Sequence, residues 1–172
     1  MPACLPGTKQ SAVLALVPKE QPMSDFVQAS HVFLDNPAKN VDEALEFLSR
    51  KAVELGVADD ERAVLDAFKA REAEGTTGMM SGFAIPHAKS AAVKEATVMV
   101  VKFAGDVEWE SMDDKPIVVA IALLVPGAEA GTTHLQLLSK VAVMLMDEGF
   151  RNDVLGATDE ASIAERINSK LD

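Results

Sequence analysis

Gly82-Phe83-Ala84-Ile85-Pro86-His87-Ala88 is the stretch that decides how this chain is read. Alternating apolar residues predict a strand, a proline ends it, and a histidine follows at once. Pro86 fixes its own φ and biases Ile85 towards an extended backbone, so the imidazole is held before any reactant arrives. Small residues at 82, 84 and 88 leave the ring uncrowded. A neutral imidazole is nucleophilic near pH 7 without a separate activating base, which makes His87 a candidate nucleophile for phosphoryl transfer. The other reading is a histidine in an ordinary strand-to-loop turn, hydrogen-bonded and inert.

A second histidine lies downstream, in Gly131-Thr132-Thr133-His134-Leu135-Gln136. Thr133 as N-cap and Gln136 three residues on form a capping-box pattern, so a helix is predicted to start here. Leu138, Val141 and Leu145 follow His134 at helical spacing, which places it at the head of the apolar stripe. A helix N-terminus carries partial positive charge and free N–H groups, and it attracts an anion such as phosphate. Read alone, His134 is better taken as a core histidine satisfied by a backbone carbonyl.

Upstream, Asp59 to about Glu74 predicts a helix with Val64, Ala67 and Phe68 on one face. Arg71 continues that face, and an arginine on an apolar stripe either snorkels or finds an anion. A flexible Met79-Met80-Ser81 leads from this helix into the His87 strand. One arginine and two histidines, far apart in sequence, are thereby available to converge on a single phosphate.

Arg71-Glu72-Ala73-Glu74-Gly75-Thr76-Thr77-Gly78, followed by Gly82-Phe83-Ala84-Ile85-Pro86-His87-Ala88-Lys89, resembles the signature of the fructose/mannitol-type enzyme IIA domain. That domain belongs to the phosphoenolpyruvate-dependent sugar phosphotransferase system. His134-Leu135-x-x-Leu138 resembles its second-histidine motif, and Trp109 with Lys115-Pro116 and the run from Ile117 also matches in position. The resemblance covers roughly residues 30 to 171. It departs most at Gly78-Met79-Met80-Ser81-Gly82, where the family has a more glycine- or isoleucine-like loop. The resemblance implies that His87 accepts a phosphoryl group from phosphorylated HPr and passes it to a cysteine of a IIB domain during sugar uptake. It implies that His134 and Arg71 hold the phosphate, with Thr77 and Lys89 in supporting roles, and that the membrane permease IIC is another chain. The family also holds nitrogen-regulatory paralogues, and similar domains serve as non-catalytic interaction modules; these remain the alternatives.

The composition bounds the reading. The 172 residues suit one domain, and 48% hydrophobic content excludes wholesale disorder. A net charge of −11 argues against nucleic acid or an acidic membrane as partner and suits a basic protein surface. The single cysteine, Cys4, excludes an internal disulfide and a cysteine metal site. No metal is expected, although His87 and His134 together remain available as nitrogen ligands. There is no P-loop or GxGxxG, so no nucleotide or other cofactor is expected. The most apolar run, Ile117 to Val125, is far short of the roughly 20 residues of a membrane helix, and a cytoplasmic location without direct membrane insertion is expected. That run and Ala96 to Ala104 predict buried strands.

Residues 1–22 hold four of the eight prolines, the cysteine and a short apolar run from Ser11 to Val17, without a basic start or cleavage pattern. An irregular N-terminal extension is therefore expected over 1–22, with a single enzyme IIA-like domain over 23–172. Asn40 with Glu43 predicts a helix start, with Val41, Ala44, Leu45, Leu48, Ala52 and Leu55 along one face. Thr158 to Leu171 predicts a terminal helix with Ile163 and Ile167 inward. The expected fold is α/β, with helices on both faces of a sheet. The family resemblance adds that this sheet mixes parallel and antiparallel strands.

Overall fold

The computed structural model describes residues 27–128 and 132–171, the side chains of residues 132–134 excepted. The expected extension over 1–22 lies outside these residues. Among the described residues there are five strands: β1 (Val32–Asn36), β2 (Phe83–Ala84), β3 (His87–Ser90), β4 (Thr97–Val107) and β5 (Ile117–Pro126). Five α-helices accompany them: α1 (Val41–Glu54), α2 (Glu61–Ala73), α3 (Thr132–Met144), α4 (Glu148–Gly156) and α5 (Glu160–Leu171).

The sheet runs β1-β4-β5, and beyond β5 lie both β2 and β3. Phe83 and Ala84 pair with Val119 and Ala120, and His87 to Ser90 pair with Leu123 to Pro126. β2 and β3 are thus two halves of one parallel edge strand, broken at Ile85-Pro86, where the proline has no N–H to give. β1 is parallel to β4, and β4 is antiparallel to β5, so the mixed sheet is as expected.

Alternation along the strands divides the core. Val98 and Val100 of β4, with Val119, Ile121 and Leu123 of β5, meet α3, α4 and α5 through Val141, Phe150, Ile163 and Ile167. Met99, Val101, Ala120, Ala122 and Leu124 turn to the opposite face, where Leu45 and Leu48 of α1 and Val64 and Phe68 of α2 cover them. Ala84 and Ala88 lie on that same face, so its surface beneath the two helices is low. Burying Phe68 alone contributes about 1.5–3 kcal/mol.

The helix starts follow local chemistry. Asn40 accepts the Glu43 N–H at 2.9 Å, and Glu43 reaches back to the Lys39 N–H at 2.8 Å. Asp60 caps α2 by accepting the Ala63 N–H at 3.1 Å. The last helix begins two residues later than expected because Asp159 accepts the Ser162 N–H at 3.0 Å. Helix α3 begins at Thr132, so Thr133 sits in its first turn rather than at its cap. Its buried side is Leu137, Val141 and Met144, with Leu138 at the margin.

Candidate active site

Helix α2 packs on β3, and this contact brings the arginine to the histidine. Arg71 follows buried Phe68 by three residues, so it leaves the helix on the face turned to the sheet edge. Its Nε donates to Nε2 of His87 at 2.9 Å, and its Nη1 donates to the Gly75 carbonyl at 2.8 Å.

The other ring nitrogen of His87 lies 3.0 Å from the Ile85 carbonyl. A carbonyl only accepts and a guanidinium only donates. The proton is therefore on Nδ1, and Nε2 carries the lone pair turned to Arg71. The break in the edge strand makes this possible, since the chain turns at Pro86 and the ring folds back on the carbonyl two residues before it. His87 is 9% exposed.

The approach to β2 is a tight turn rather than a flexible lead. Ser81 and Gly82 both have positive φ, 60° and 85°, and the Phe83 N–H reaches the Met80 carbonyl at 3.3 Å, as in a type I′ turn. Gly78 pairs with Ala84, and the Ile85 N–H donates to the Thr77 carbonyl at 3.0 Å. Residues 77–79 thus run antiparallel beside β2. Asp113 accepts the Ser81 N–H at 2.9 Å, and this bond chiefly holds its carboxyl below the usual range. Burial opposes it as the next largest effect, and the Lys115 N–H, the Ser111 hydroxyl and the Lys115 charge each add a smaller lowering.

Thr77 is buried, and its hydroxyl donates to the Glu72 carboxylate. Its proton is thus engaged within the loop. Lys89 is exposed on β3, two residues beyond His87 and on the same side of the strand. His134 lies in the first turn of α3, and its side chain is outside the described residues. Arg71, His87 and the Thr77 loop are therefore brought together. No group of three or more histidine, cysteine or acidic side chains arranged for a metal occurs among the described residues. No helix among them is long and apolar enough to cross a membrane.

Three groups at the site escaped the sequence reading: Glu72 and the carbonyls of Gly75 and Ile85. Backbone acceptors leave no trace in residue identity. Glu72 did leave a signal, since a carboxylate in the last turn of a helix opposes the helix dipole and needs a donor elsewhere.

A family model described as "Phosphoenolpyruvate-dependent sugar phosphotransferase system, EIIA 2" matches residues 25–170. The chain is 40% identical over 134 residues to a PTS system fructose-specific EIIA component of Haloferax volcanii, covering 78% of this chain and 86% of that protein. Some other curated relatives are much longer chains, of which this one spans about a fifth. Among solved structures, the nitrogen regulatory protein IIA-Ntr from Neisseria meningitidis superposes with a TM-score of 0.76 at 28% identity. That match covers 87% of this chain and 99% of the other. The enzyme IIAMTL in its complex with phosphorylated enzyme IIBMTL from Escherichia coli shares the fold, with a TM-score of 0.70 at 20% identity over 83% of this chain and 97% of that one.

Proposed function

The chain belongs to the EIIA 2 family of the phosphoenolpyruvate-dependent sugar phosphotransferase system, and from that premise we propose that it is a phosphocarrier whose accepting atom is Nε2 of His87. The observation that carries this reading is the pair of bonds on the imidazole: Nδ1–H to Ile85 and Nε2 to Arg71. Together they leave one nitrogen with a lone pair, beside a fixed positive charge.

In the transfer, the phosphorus–nitrogen bond of a donor phosphohistidine breaks as the bond to Nε2 forms, and the electron pair returns to the donor nitrogen. Nδ1 keeps its proton throughout, held by Ile85. The Arg71 donor moves from the ring to a phosphoryl oxygen, where it meets the charge spread over the transferring group. His134, at the start of α3, supplies a second donor to those oxygens, while Lys89 contacts the phosphate or the partner. The donor is phosphorylated HPr, and the acceptor is a IIB cysteine, as the pairing of the mannitol IIA with phosphorylated IIB supports. Residues 23–172 form the carrier domain, which works in the cytoplasm beside a permease on another chain.

The test is phosphoryl transfer from phosphoenolpyruvate through enzyme I and HPr, read by mass spectrometry at neutral pH. Wild type should gain one phosphate and His87→Ala none. Acceptance by the alanine variant would remove His87 from the role. No phosphate on either protein, beside a competent control, would favour a non-catalytic interaction module. The likeness to the Neisseria nitrogen regulatory protein supports a second reading, in which phosphorylation switches binding to other proteins. Phosphate retained in the presence of every IIB partner tried would favour it.

A further inference from the structure

Arg71 and Glu72 are consecutive in the last turn of α2, and their side chains serve opposite ends of one circuit. Arg71 donates to Nε2 of His87 at 2.9 Å. Glu72 accepts the Thr77 N–H at 3.2 Å through one oxygen and the Thr77 hydroxyl through the other. The Thr77 carbonyl accepts the Ile85 N–H at 3.0 Å, and the Ile85 carbonyl accepts the His87 Nδ1–H at 3.0 Å. The imidazole is gripped at both nitrogens by a ring of bonds that closes on two neighbouring residues of one helix.

We propose that Glu72 is a positioning residue for the phosphoryl-accepting histidine. By clamping Thr77 it fixes the Ile85 carbonyl, and that carbonyl keeps the proton on Nδ1 and the lone pair on Nε2. The inference rests on the reading of His87 as acceptor. Thr77 is 4% exposed, so without Glu72 its N–H and hydroxyl would be buried without these partners. A carboxylate accepting both is a strong, directional clamp. Once it is lost, the Thr77 segment is free to shift along β2, and the ring loses one of the two partners that fix its tautomer, with Arg71 left at the other nitrogen.

The experiment uses the full chain with 15N-labelled histidine. Nuclear magnetic resonance of the ring nitrogens reports the tautomer of His87, and transfer from phosphorylated HPr reports the rate. Wild type should show the Nδ1–H form alone. Glu72→Ala should show a mixture and a transfer rate lower on the order of tenfold, with the KM for the donor unchanged. Glu72→Gln keeps an oxygen for Thr77 and should restore most of both. Thr77→Val removes only the hydroxyl bond and should fall between. A wild-type tautomer and rate in Glu72→Ala, whatever its melting temperature, would make Glu72 a loop staple and overturn the proposal. Should that variant not fold, an unchanged tautomer and rate in Thr77→Val would overturn it equally. If wild-type His87 accepts no phosphate, the acceptor reading fails, and the tautomer comparison still decides what Glu72 does.

Discussion

Nε of Arg71 stands 2.9 Å from Nε2 of His87, so the guanidinium already holds the lone pair that would attack phosphorus. The same guanidinium is anchored at 2.8 Å to the Gly75 carbonyl, which fixes its plane. Arg71→Ala should therefore lower phosphoryl transfer about 100-fold or more. Its side chain is only half-buried, so the melting temperature should move little. Arg71→Lys should not restore the rate, because one ammonium lacks the rigid fork that reaches both partners. A large loss of stability with an intact rate would make Arg71 a snorkelling residue.

His134→Ala should fold, with an unchanged circular dichroism spectrum, and transfer roughly tenfold more slowly or worse. The position stands seven residues before fully buried Val141, at the head of the helix face turned to the core. A wild-type rate would assign His134 to the helix start alone.

Gly78→Ala tests the turn beside β2. An added Cβ would lie 2.1 Å from the Glu110 carbonyl oxygen, which also accepts the Thr76 hydroxyl. Backbone must give way, at about 1–3 kcal/mol or more. Urea unfolding should show this loss, and Gly105→Ala, with nothing within 4 Å of its added Cβ, serves as the control.

Asp113 provides a pH signature. Because the Ser81 N–H chiefly depresses its folded pKa below 3.8, its contribution to stability is fully present above the ordinary aspartate range. That contribution fades as pH falls through the lower folded value. Carbon NMR titration of the Asp113 carboxyl should give a midpoint below 3.8. An ordinary midpoint in wild type would show that the Ser81 bond is not held in solution.

Much of this fold was legible in local pattern. The unbroken apolar runs through 98–101 and 119–124, the Asn40 cap and the arginine after Phe68 are each read from neighbouring residues. What was not legible depends on pairing at a distance. β1 is a short edge strand ending in Asp35 and Asn36 with Pro37 just beyond, and Asp35 has a φ of 53°, so no run of alternation announces it. α4 is short and begins beside a glycine, and it is held partly by Lys102 of β4, which donates to the Leu155 and Ala157 carbonyls at its end. At the site, His87 and Arg71 stood out by residue type. Their meeting, and the carbonyls that hold them, exist only once α2 lies on β3.

Ala84, Ala88, Ala120 and Ala122 carry no chemistry, yet they govern how far α1 and α2 stand off the sheet. A valine in any of these places would lift the helices by a fraction of an ångström, since a packed interior does not absorb added volume. The Arg71–His87 bond tolerates a shift of only a few tenths of an ångström before it weakens. The reach of the arginine is thus calibrated by atoms that are missing, and a chemically silent methyl added at Ala88 would detune the proposed nucleophile from beneath.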